Sequence, residues 1–195
     1  MNKRLLNYAI AIPIFLLILY AVITYNELVK KEEIVKMQWN EVNSAYQRRV
    51  DLIPNLVNVV KGQADFEQTV LTQLTEARSK AAGAVVSGEV NAEGFNRQEI
   101  AQNELAGAAS RLLIRVENYP ELKGTQAFSG LQTQLEGTER RIKVARKDFN
   151  GAVADYNSSV KAFPASLVGK MFGLKPYEGF QSDAGTDKSV EVKFR

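Results

Sequence analysis

Apolar positions in this chain recur every three or four residues, the period that places them on one face of an α-helix. From Tyr25 to Lys61 the apolar steps are Val35, Trp39, Val42, Tyr46, Arg49 or Val50, Ile53, Val57 and Val60. A helix of that length reaches roughly 54 Å, so its apolar face needs other long helices to cover it. Phe66, Val70, Leu74, Ala77, Ala81 and Val85 predict a second helix, closed by Val86-Ser87-Gly88, with a loop over residues 87–94. Ile100 or Ala101, Leu105, Ala109, Leu112, Val116 and Tyr119 predict a third, ended by Pro120. The longest face runs through Leu131, Leu135, Thr138, Ile142, Ala145, Phe149, Ala152, Tyr156, Val160 and Phe163 and is closed by Pro164. It is the natural mate, parallel or antiparallel, of the first helix.

The pattern changes at the amino terminus. Leu5 to Thr24 carries 20 residues without a charge, about 30 Å of helix, which matches the hydrocarbon core of a bilayer. Tyr8 lies near one end and Tyr20 and Tyr25 near the other, where amphipathic rings favour the interface. A cleaved signal peptide is the rival reading, but Ala21-Val22-Ile23 ends in a bulky residue and makes a poor cleavage site. The helical pattern also runs on past Tyr25, so a retained anchor is expected. Lys3 and Arg4 on one side and Lys30, Lys31 and Lys36 on the other nearly balance. The orientation favoured is amino terminus inside, with the bulk of the chain outside the cytoplasm.

At the other end, Ala165 to Leu174 reads as one or two short apolar turns, with Val168, Met171, Phe172 and Leu174 capping the bundle or touching lipid. From Lys175 on the chain reads as a loosely held tail, and Ser189 to Phe194 alternates like a short strand without a partner. The expected architecture is all-α: an N-terminal transmembrane helix followed by an elongated antiparallel bundle of about four long helices. The divisions are a basic tail at 1–4, an anchor at 5–24, a bundle at 25–174 and a tail at 175–195.

Composition narrows the chemistry. The chain has no cysteine and no histidine, which excludes disulfides, thiolate nucleophiles, Cys/His zinc sites and histidine-based triads. A net charge of +3, two units of it from Lys3 and Arg4, gives no nucleic-acid footprint. Carboxylates are plentiful but form no tight cluster; Glu32 and Glu33 are simply adjacent. No catalytic, metal-binding or cofactor-binding residue is therefore assigned.

The least ordinary local cluster is Arg48-Arg49-Val50-Asp51-Leu52-Ile53-Pro54-Asn55-Leu56-Val57. Pro54 lacks an amide hydrogen and should kink or break the helix near Ile53. Asp51 could cap a freed amide or pair with Arg48, and Asn55 could satisfy groups opened by the kink. Two readings follow, a kink stitched by local polar contacts or a partner-docking surface made by it. Further on, Arg140, Arg141, Lys143, Arg146 and Lys147 form a basic run, either a solvated face or a patch for lipid or an acidic partner. Phe149-Asn150 and Tyr156-Asn157 repeat at seven residues, with the rings as core and the asparagines as flanking polar contacts. Trp39 is read as core, with an exposed partner anchor as the other possibility.

Tyr25-Asn26-x-Leu28-Val29, Trp39, the run at 48–57, Thr75-Glu76-Ala77-Arg78 and the run from Glu139 to Asn157 together resemble the LemA family of bacterial membrane proteins. Phe149 stands where that family often has Tyr. The resemblance covers roughly residues 5–172 and implies a membrane-anchored helical bundle in the bacterial cytoplasmic membrane. It implies as neighbours membrane proteases or TPM-domain proteins, beside which family members tend to be encoded, but no activity. The motif or interaction residues singled out are Tyr25, Asn26, Arg48, Arg49, Asp51, Pro54, Asn55, Arg140, Arg141 and Arg146. The leading function is a non-enzymatic, single-pass scaffold or adaptor of the envelope, with the lipid bilayer, itself or another envelope protein as partners. The alternatives are a regulator of a membrane protease or TPM-domain protein and, third, a carboxylate-based enzyme.

Overall fold

A computed structural model describes residues 3–62, 66–84 and 92–180. Helix α1 spans Lys3–Lys61 and carries both Pro13 and Pro54 inside it. It does not break at Pro54, contrary to one expectation from the sequence. Helix α2 spans Gln68–Gly83, α3 Ala92–Val116, α4 Pro120–Lys123, α5 Gln126–Lys161 and α6 Ala165–Met171. No strand occurs among the described residues.

Contacts between named residues fix the directions. On α1 and α5, Lys31 meets Asp155, Tyr46 meets Arg146 and Arg49 meets Glu139, so the two helices are antiparallel and form the spine. On α3, Phe95 packs on Trp39 and Gln102 bonds Arg49, so α3 runs parallel to α1. Helix α2 runs back against it, with Arg78 reaching Val50. Helix α6 folds against α1 and α5 at the end where the anchor leaves the bundle.

The core falls into two apolar clusters. One joins Leu28, Val35, Trp39, Val42 and Tyr46 to Phe149, Val153, Tyr156 and Val160. The other joins Val50, Ile53, Leu56 and Val60 to Leu74, Leu105, Leu112, Phe128 and Leu135. Every position of the predicted α1 face is buried, and Leu28 and Leu56, outside that prediction, join them. Trp39 is core, 2% exposed, and its ring lies 5.3 Å from that of Phe149. Each fully buried aromatic or aliphatic side chain contributes roughly 1.5–3 kcal/mol of apolar burial.

Several boundaries differ from expectation, each for a local reason. Helix α3 ends at Val116, and Pro120 opens α4 instead of closing α3. A proline at the first helical position loses no hydrogen bond, because that amide has no intrahelical acceptor. Residues 92–94, expected in a loop, are the first turn of α3; residues 87–91 and Val85 lie outside the described ones. Ala101 is buried and Ile100 exposed, which settles that alternative. Phe163, expected to close the long apolar face, is 82% exposed, because α5 stops at Lys161. Thr125 caps the start of α5, its hydroxyl accepting the Phe128 amide at 3.2 Å.

The carboxyl-terminal segment departs most. Residues 175–180, expected to hang loose, lie extended along α5, and Phe180 is 8% exposed inside the aromatic cluster. Ser189 to Phe194 falls outside the described residues.

Candidate functional site: a charged groove on the α1–α5 spine

Of the ten residues singled out from sequence, three take part in pins between helices, four line a groove, and Tyr25, Asn26 and Asn55 belong to neither. Arg49, 3% exposed, is the first pin. Its Nη1 donates to the Gln102 carbonyl at 3.0 Å and to the Gln102 side chain at 3.2 Å, and its Nη2 pairs with Glu139. Arg146 is the second pin. Its Nε donates to the Tyr46 hydroxyl at 2.9 Å, its Nη2 donates to Asn103 at 3.3 Å, and its guanidinium lies 4.6 Å from the Phe180 ring centroid. Each arginine therefore ties α1, α3 and α5 together. With Gln98 and Gln102, both fully buried, and Asn43, which accepts from Gln98 at 2.7 Å, they make a polar belt between the two apolar clusters. Sliding one helix would strip the buried Arg49 guanidinium of its partners, a cost that opposes other registers.

Pro54 takes part in a third pin. In an α-helix residue 54 would donate to the carbonyl of Val50, and proline cannot. Arg78 of α2 supplies the donor, its Nε lying 3.1 Å from that carbonyl. The Thr75-Glu76-Ala77-Arg78 run and the proline run are thus the two halves of one contact. Asp51 accepts from Gln47 at 2.8 Å, one turn earlier, and not from Arg48. Asn55 is exposed on the outer face of α1. Tyr25 is half-buried against Phe172, with ring centroids 4.5 Å apart, and Asn26 is exposed beside it.

The remaining charged residues meet in a groove of about 1270 Å³. All its lining residues belong to α1 and α5, and it runs from Gln38 to Asp51 on one helix and from Gly137 to Asp148 on the other. Half-buried Ala45, Gly137 and Ala145 form its floor. Exposed Arg48, Arg140 and Arg141 stand on its rim with exposed Glu41, Asp51 and Asp148. Val144 adds an exposed apolar side chain, 57% accessible. Among the described residues no group of three carboxylates converges.

Two elements escaped the sequence reading. Gln98 and Gln102 sit at the four-residue spacing of a buried helix face, and nothing in their local sequence marks them as buried. Asn150 and Asn157 were visible as a seven-residue repeat, but their partners were not. Asn157 donates to the Tyr177 carbonyl at 2.8 Å and accepts the Tyr177 amide at 2.9 Å. Asn150 donates to the Phe180 carbonyl at 2.9 Å and accepts the Phe180 amide at 2.8 Å. Each side-chain amide thus imitates the edge of a strand and grips one residue of the extended strap.

Burial raises the pKa of two tyrosines. Tyr46 is pushed up by desolvation against the opposing pull of Arg146. Tyr156 is pushed up to about 12 by desolvation, with the negative charge of Glu32 adding to it.

The apolar sleeve of α1 completes the picture. From Ile10 to Ile23 its large side chains are exposed, Leu17 at 68%, and this helix is long and apolar enough to cross a membrane. Fold and site together define a class: a bundle of long helices carried on one membrane-anchoring helix, with a charged groove along its spine. The chain belongs to the LemA family, whose model matches residues 38–194. It is similar to the magnetosome protein MamQ 2 of Paramagnetospirillum magneticum, 24% identical over 184 residues, which is 85% of this chain and 68% of that protein. It resembles MamQ of Magnetospirillum gryphiswaldense to the same extent. It is 21% identical to the protein LemA of Metamycoplasma hominis over 157 residues, 80% of this chain and 68% of the relative.

Proposed function

We propose that this protein is a non-enzymatic adaptor of the bacterial cytoplasmic membrane, with its bundle on the extracytoplasmic side, and that it docks a helix in the α1–α5 groove. The observation that carries this reading is the groove itself: Arg48, Asp51, Arg140 and Arg141, far apart in sequence, stand on one rim along a spine that no other described helix covers there. The relatives are named for a setting and a family rather than for a reaction, which accords with a binding role. Mixed charge on the rim fits a partner helix that itself carries both signs, and a second copy of this chain presents such a helix in α5. A membrane protease or a TPM-domain protein is the alternative occupant.

The test is co-purification from detergent of the wild type, Asp51→Lys and Arg141→Glu. Both substituted residues are exposed, so melting should hold while capture is lost. Homo-oligomers lost in the variants support self-docking. Stoichiometric protease or TPM-domain protein, lost in the same way, supports the regulator. Capture unchanged in both variants removes the groove from the account.

A further inference from the structure

The α6 end of the bundle carries an apolar surface that the groove does not use. Phe163 is 82% exposed, Leu167 61%, Met171 68% and Phe172 52%. Leu167 and Met171 are one turn apart and share a face of α6, whereas Val168 between them is buried. Gly169 seats the opposite face, since a Cβ there would meet Val160 of α5 at 2.9 Å. The orientation is therefore fixed: α6 packs inward through Val168 and Gly169 and turns its large apolar side chains out.

The height of this surface on the molecule says what covers it. Phe172 packs on Tyr25, two residues before Glu27, the first charge after the apolar stretch of α1. The outward face of α6 is thus continuous with the apolar sleeve of the anchor and lies at the level where that sleeve ends. Exposed Lys161, Lys170 and Lys175 border it, and no acidic residue occurs between 161 and 175. Apolar side chains at interfacial depth, flanked by lysines that reach headgroups, are how an interfacial helix binds a membrane containing anionic phospholipid.

We infer that residues 163–172 form a foot that inserts into the acyl–headgroup boundary of the bilayer beside α1, giving the bundle a second membrane contact that sets its orientation. The foot is independent of the groove, and its test does not depend on any partner.

The chain has no cysteine, so Leu167→Cys provides a single attachment point for an environment-sensitive fluorophore. The labelled full chain would be placed in nanodiscs of phosphatidylcholine and phosphatidylglycerol, with a doxyl quencher near the headgroup or at the chain end. Met171→Cys repeats the measurement, and Ile114→Cys, 69% exposed on α3 and outside the groove, is the control. The foot predicts blue-shifted emission and strong quenching by the shallow quencher at positions 167 and 171, and neither at 114. It also predicts that Lys161→Glu with Lys170→Glu weakens the shallow quenching. Water-like, unquenched emission at 167 and 171 overturns the proposal. So does a blue shift without lipid quenching that fades when each disc holds one copy, because a second chain would then be the cover.

Discussion

Pro54 removes one amide hydrogen from α1, and Arg78 returns a donor to the carbonyl left behind. The pair should therefore behave as a unit. Arg78→Ala alone leaves a partly buried carbonyl short of a donor, which costs about 1–3 kcal/mol. In a Pro54→Ala background residue 54 supplies its own amide, and the same Arg78→Ala change should cost much less. A double-mutant cycle from thermal melts in detergent measures the difference; additive effects would show that the two residues do not share the carbonyl. Tyr156 gives a second prediction at this scale. Its pKa rises from 10.0 in the unfolded chain to about 12 in the fold. The neutral phenol is the form the core accepts, so this contribution is whole below pH 10 and is lost as pH rises towards 12. The Tyr156 hydroxyl has no hydrogen-bond partner among the described residues, so Tyr156→Phe should melt no lower than wild type near neutrality. The variant should also lose less stability between pH 10 and 12, which paired melts across that range would record.

Among the elements, the strap is where local sequence says least. Residues 175–180 have no helical period and no strand neighbour, so nothing local predicts that they are held. Their hold comes from α5, where Asn150 and Asn157 recur at the heptad spacing beside core rings. Gly179 fits because a Cβ there would meet the Asn150 side-chain oxygen at 2.9 Å. Gly179→Ala should push the strap off Asn150, and Asn157→Ala should remove both side-chain bonds to the Tyr177 backbone, each at about 1–3 kcal/mol locally. Amide exchange at Tyr177 and Phe180 should accelerate in both variants while the middle of α5 keeps its protection. Unchanged exchange at both amides would mean that the strap is held by other contacts. The faces of α1, α2, α3 and α5, by contrast, were readable from period alone, because packing on one stripe demands that spacing. Period could not place the ends. Phe163 continues the heptad in sequence, yet the helix has stopped and its ring points outward. Pro120 reads as a terminator but sits where a helix can begin.

On the scale of the whole molecule, the arginines show how much of the site the sequence carried. Arg48 and Arg49 are neighbours and look alike in the chain, yet one stands on the groove rim and the other is buried in the belt. Arg141 and Arg146 divide in the same way. Charge and spacing nominated all four, but only the relative rotation of α1, α3 and α5 decides which are pins and which are exposed. That rotation depends on contacts as distant as Arg49 with Glu139, 90 positions apart. Once the pins are set, the groove is a fixed consequence of the α1–α5 pairing.

The most direct test of the docking reading places a photo-crosslinking amino acid at Val144 and activates it in native membranes, with the cross-linked residues mapped by mass spectrometry. The groove account predicts cross-links to one partner segment, at three- and four-residue intervals along a helix, that disappear when Asp51→Lys and Arg141→Glu are introduced. Cross-links scattered over many proteins without periodicity, or an unaltered pattern in the doubly substituted chain, would contradict it.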